Sequence, residues 1–111
     1  MSVFITVPLG STWPSGRCRE VAMLPVSDSK VSAVFGDLLD GVESGLGEWR
    51  AVGFELLGGS LIELIRYKSM PGPVGYILRL DAASAREPSL STVAELLGVS
   101  PESLLWVCDE P

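Results

Sequence analysis

Few side chains in this sequence can move protons or attack a substrate. Among 111 residues there is no histidine, and the only lysines are Lys30 and Lys68. Lack of histidine removes Ser-His-Asp triads, Cys-His dyads, histidine metal sites and histidine proton shuttles together. Acid–base catalysis then falls to paired carboxylates, a perturbed lysine or a tyrosine. Lys30 belongs to the first turn of an expected helix and Lys68 ends an expected strand, so both read as surface residues. Glu55 and Glu63 fall on neighbouring strands, but a turn at Gly58-Gly59 sets a register that puts them on opposite faces. Cys18 lies between Arg17 and Arg19, a setting that lowers a thiol pKa, yet no histidine base exists to use it. Two cysteines, Cys18 and Cys108, are too few for a cysteine-rich zinc site and form no CxxC. They are either a single disulfide closing most of the chain or two thiols in a reducing compartment. Neither GxGxxG nor GxxxxGK[ST] occurs. These observations favour a protein that is not an enzyme and needs no cofactor or metal.

Charge points elsewhere. Fourteen acids face eight bases, for a net charge of −6, which argues against direct nucleic-acid binding. Between Val31 and Trp49 stand Asp37, Asp40, Glu43 and Glu48 with no base. On a helix over 28–44, Asp37, Asp40 and Glu43 form one ridge opposite an apolar stripe of Val31, Val34, Phe35, Leu38, Leu39 and Val42. Like charges at that spacing cost about a few tenths of a kcal/mol per pair. The ridge is either a solvated face or a docking surface for a basic protein, where it would speed association. Glu48 and Trp49 extend it, Trp49 as an aromatic anchor. The candidate partner-binding residues are therefore Asp37, Asp40, Glu43, Glu48 and Trp49. A second reading uses Arg66 and Arg79, with Lys68, as an anion-binding patch on the outer face of a sheet. A third is an oligomeric adaptor that pairs through an exposed sheet edge at 2–8 or 104–108.

The elements that must position these residues follow from periodicity. Residues 2–8 read as a strand stopped by Pro8, and 9–18 as a loop. Residues 19–26 are a possible short strand cut by Pro25. Helix 28–44 is capped by Ser27 or Asp28 and ends at Gly45 and Gly47. Residues 49–57, 60–68 and 76–81 alternate as strands and form an antiparallel meander. Its first hairpin pairs Leu56 with Leu61, Phe54 with Glu63 and Val52 with Ile65. Residues 88–98 form a second helix from Pro88 to Gly98. Ser100-Pro101-Glu102 begins a short turn, and 104–108 close the chain as a strand with Trp106 in the core. The whole is one domain over 1–111, of α+β class. A mostly antiparallel sheet of about five strands carries two helices on one face.

Three segments, GFELLGGSLIELIRY, GYILRLDA and VAELLGVSPESLLWV, resemble the small bacterial immunity proteins that accompany polymorphic or contact-dependent growth-inhibition toxins. The resemblance covers residues 53–107. It implies a cytoplasmic, non-catalytic protein that binds and neutralises one cognate toxin domain. Many such toxins are basic nucleases, which an acidic inhibitor would suit. No signal sequence or bilayer-spanning run is legible, so neither membrane nor nucleic acid is expected as a direct partner.

Overall fold

The computed structural model describes residues 4–7, 18–43, 45, 47–56, 61–69, 75–81 and 89–108. Among these residues seven strands and two helices form the expected α+β fold. The strands are β1 (Phe4–Val7), β2 (Cys18–Leu24), β3 (Leu39–Glu43), β4 (Gly47–Leu56), β5 (Leu61–Tyr67), β6 (Tyr76–Asp81) and β7 (Trp106–Val107). The helices are α1 (Asp28–Phe35) and α2 (Ser89–Leu97), and Pro101–Ser103 add one 3-10 turn.

All pairings are antiparallel, in the order β1-β4-β5-β6-β2-β7, with β3 also on β4. Strands β1 and β3 share one edge of β4, at residues 53–56 and 47–51 respectively. Among the described residues the sheet is thus six strands wide, against about five expected, and its outer edges are β1 with β3 and β7. Of the expected edge segments 2–8 and 104–108, residues 4–7 and 106–107 form edge strands among the described residues.

Strand β4 pairs with β5 one residue away from the register expected of a two-glycine turn. Phe54 faces Ile62 and Val52 faces Leu64, while Gly53 faces Glu63. A one-residue slip moves every side chain to the other face. The observed register places Ile62 and Leu64 in the core, where the expected one would have put Glu63. It also puts Glu55 and Glu63 on the same face rather than on opposite ones. The turn itself, like Pro88 at the start of the expected second helix, lies outside the described residues.

Both helices pack on one face. Leu90, Val93, Ala94 and Leu97 of α2 and Val31 and Phe35 of α1 join Val52, Phe54, Ile62, Leu64, Leu78 and Leu80 in one core. Each fully buried Leu, Val or Phe contributes roughly 1.5–3 kcal/mol. Phe35 stacks on Phe54 with ring centroids 4.2 Å apart. A smaller cluster of Met23, Ala51, Ile65, Tyr67 and Ile77 occupies the opposite face, with Trp49 packed on it.

Helix α1 is half the expected length. It stops at Gly36, whose φ of +100° disfavours any residue with a β-carbon. The chain then turns back and lays Leu39–Glu43 along β4 as five paired residues. Helical spacing at Leu39 and Val42 does not mark a core stripe, because these side chains are 44% and 75% exposed. Continuing the helix would leave residues 47–51 of β4 without that partner. Trp106 also departs from expectation: it is 38% exposed on the short edge strand β7.

Candidate functional site

The sheet alternation that buries Val52 and Phe54 also points Arg50 toward the helices, and the one that buries Ile62 and Leu64 points Arg66 there. Arg50 and Arg66 stand directly opposite each other on adjacent strands, a like-charge pairing that is unfavourable alone. Asp28, the first residue of α1, lies between them. Arg50 Nη1 donates to its Oδ2 at 2.8 Å and Arg66 Nη1 to its Oδ1 at 2.7 Å. The buried hydroxyl of Tyr76, from β6, donates to the same Oδ1 at 2.6 Å. Ser27 makes this possible: its hydroxyl accepts from the Lys30 amide at 3.2 Å. The cap of α1 is thereby filled and the Asp28 carboxylate is left for the sheet.

Asp40 on β3 pairs with Arg50 across the strands. It accepts Nε at 2.7 Å and Nη2 at 3.2 Å, a bidentate contact. Lys68 Nζ lies 4.0 Å from Asp40 and 3.9 Å from Glu48. Burial opposes ionisation of Asp28, but hydrogen bonds from Tyr76 and Arg66, the charge of Arg66 and a hydrogen bond from Arg50 outweigh it. Its carboxyl is held below the ordinary value of 3.8. Asp40 is likewise lowered, chiefly by its hydrogen bond from Arg50. The Tyr76 phenol is pushed up by burial and by the hydrogen bond it gives Asp28. Arg50 is raised by its two carboxylate partners, Asp40 first. These shifts keep Asp28 and Arg50 charged and the Tyr76 phenol neutral, and move all three away from acid–base work near neutrality.

Beside the cluster is an open groove of about 620 Å³, with Asp28, Ser32, Asp37, Leu38, Asp40 and Arg50 in its walls. The structure brings Asp37 and Asp40 together on this groove, but not as neighbours on a helix ridge. Asp37 is exposed in the link after α1, Asp40 is on β3, and Glu48 is exposed on β4 opposite Val42. Glu43 ends β3 opposite Gly47, and its side chain, like Ser44, lies outside the described residues. Trp49 is half-buried, and its indole lies against Gly41, where a β-carbon would collide with the ring. The continuous ridge on one helix is therefore replaced by an acidic margin spread over a link and two strands.

The Arg66/Arg79 patch does not form. Arg66 faces the helices, whereas Arg79 faces the other way and is already paired. Arg79 lies opposite Glu63 on one side and Glu20 on the other. It reaches Glu63 at 3.3 Å, Glu20 at 3.4 Å and the Tyr67 hydroxyl at 2.9 Å. Its guanidinium also sits 5.7 Å from the centre of the Tyr67 ring, and this set of partners accounts for a Glu63 that is only 7% exposed.

Sequence reasoning missed Asp28, Arg50 and Tyr76 as members of one cluster. A signal existed for Arg50 and Arg66, since inward-facing arginines on apolar strands require a carboxylate. Among the described residues no group of three or more cysteine, aspartate or glutamate side chains is gathered as a metal ion would need. No helix among them is long and apolar enough to cross a membrane.

The chain matches no family model, no curated protein and no solved structure.

Proposed function

We propose that this chain is a non-catalytic immunity protein that binds and neutralises a cognate toxin domain in the cytoplasm. The partner is basic, in keeping with a nuclease, and it meets the acidic margin formed by Asp37, Asp40 and Glu48. The observation that carries this reading is Val42, 75% exposed and directly opposite the exposed Glu48, with exposed Asp37 and Leu39 on the groove beside the same strand. Asp37, Asp40 and Glu48 outnumber the neighbouring cations Arg50 and Lys68, and exposed apolar residues beside such an acidic excess suit a basic protein surface. The ion-paired interior supports the same view, because Asp28, Arg50 and Tyr76 are held in fixed charge states.

The test is affinity capture of the tagged full chain from its native cell. One basic protein should be retained in stoichiometric amount, and adding the purified chain should suppress that protein's toxic activity. Capture of no basic partner, or of one whose activity the chain leaves untouched, overturns the proposal. Binding of an anionic metabolite is less well supported, since both Arg66 and Arg79 are engaged by carboxylates.

A further inference from the structure

Strand β3 is paired on one side only among the described strands. The direction of its remaining backbone groups can be worked out. The Lys68 amide donates to the Glu48 carbonyl at 2.9 Å, so residue 48 of β4 addresses the β5 side. Backbone groups alternate along a strand. Residues 47, 49 and 51 therefore address β3, where they oppose Glu43, Gly41 and Leu39. Asp40 and Val42 must then present their N–H and C=O groups to the open edge. By the same alternation, Ile5 and Val7 address β4 from β1, and Thr6 faces outward on the continuation of this edge.

An open edge with apolar side chains on both faces invites another strand. Leu39 lies on the face of Ala51 and Val42 on the face of Glu48, and both are exposed. Charge decides which strand. A second copy of β3 brings another Asp40 and Glu43, on a chain of net charge −6, to the same edge, which like-charge repulsion disfavours. A strand that alternates lysine or arginine with apolar residues would put its cations beside Asp40 and Glu48 on the core-side face and its apolar residues beside Leu39 on the other. We infer that the outer edge of β3 is a strand-addition site for an extended basic segment of a partner protein, with backbone pairing at Asp40 and Val42. This deepens the proposed acidic docking surface and rests on the partner being basic.

The probe is a capped octapeptide of alternating lysine and valine, with an alternating glutamate–valine peptide as control. Both are titrated into the isotope-labelled full chain and followed by amide shifts and hydrogen exchange. The basic peptide should bind saturably, with slowed exchange at the Asp40 and Val42 amides, and the acidic peptide should not bind. Val42→Pro removes one outward N–H while sparing the bonds to β4, and Gly41 before it tolerates a following proline. It should weaken the basic peptide by about tenfold or more, whereas Val42→Thr, which keeps the N–H, should change it by less than about threefold. Absence of binding, protection confined to other strands, or a Val42→Pro chain that folds and binds as well as the parent overturns the inference. If a basic toxin is captured but the peptide ignores β3, the edge site falls and the immunity reading stands. If the peptide pairs with β3 but no basic protein is captured, the reverse holds.

Discussion

Tyr76 and Asp28 are joined by a hydrogen bond of 2.6 Å from the phenol to the carboxylate, across 48 residues of sequence. The bond ties a fully buried side chain in the middle of the sheet to the first residue of α1. With Arg50 and Arg66 on the same carboxylate, one side chain fixes where α1 begins relative to β4, β5 and β6.

Asp28→Ala leaves three donors without their acceptor. The site is partly open to water, which softens the loss. A destabilisation of about 1–3 kcal/mol is expected. Urea unfolding of the two proteins measures it, and an unchanged midpoint would show that the cluster contributes nothing to the fold.

The same carboxylate makes stability depend on acid. Asp28 titrates below its ordinary value of 3.8 in the folded state. Its contribution is therefore complete above about pH 4 and is lost as pH falls through the folded value, because the unfolded chain binds the proton more readily. Asp28→Asn should flatten the acid limb of the stability–pH curve by up to about one proton. Equilibrium unfolding between neutral pH and pH 2 gives that slope, and parallel curves would contradict the assignment.

The early end of α1 makes a sharp contrast among residues that share helical spacing. Phe35→Ala should cost about 3–5 kcal/mol, since the ring is buried against Phe54. Val42→Ala should stay within about 0.5 kcal/mol because its side chain is mostly in solvent. Equal losses at the two positions in thermal or urea unfolding would restore a helix running through residue 42.

Much of this fold was legible from alternation and punctuation. The strands of the 49–81 meander follow the alternation of their sequence, although 51–54, 62–65 and 76–78 are buried on both faces, and α2 ends at Gly98 with φ of +72°, as a helix-stop glycine does. Local pattern failed where a distant partner decided the outcome. Leu38, Leu39 and Val42 have helical spacing, but Gly36 and the open edge of β4 turn 39–43 into a strand. The register differs by one residue from that of a two-glycine turn because it sends Ile62 and Leu64 into the helix-side core and leaves Glu63 on the other face with Arg79. Of the candidate site, the acids Asp37, Asp40 and Glu48 were visible as a run without bases, but their geometry was not. Asp28 could have been found only by asking which carboxylate meets the inward-facing Arg50 and Arg66.

Gly41 is a position where space rather than charge is limiting. The Trp49 indole occupies the volume a β-carbon would need. Gly41→Ala should displace the ring, destabilise the chain by about 1–3 kcal/mol and shift tryptophan emission to the red in the folded state. An unaltered spectrum and melting curve would show that the ring does not rest there.

Under the proposed function, the acidic margin beside β3 holds a basic toxin. The most direct measurement compares partner capture by the parent chain and by a chain carrying both Asp37→Lys and Glu48→Lys. Neither change removes the bidentate Asp40–Arg50 contact, so the fold should persist, as a melting curve would verify. The account predicts that the parent retains one basic partner at low salt and that the variant binds it at least about tenfold more weakly. Equal retention of that partner by both chains, or no basic partner on either, would contradict it.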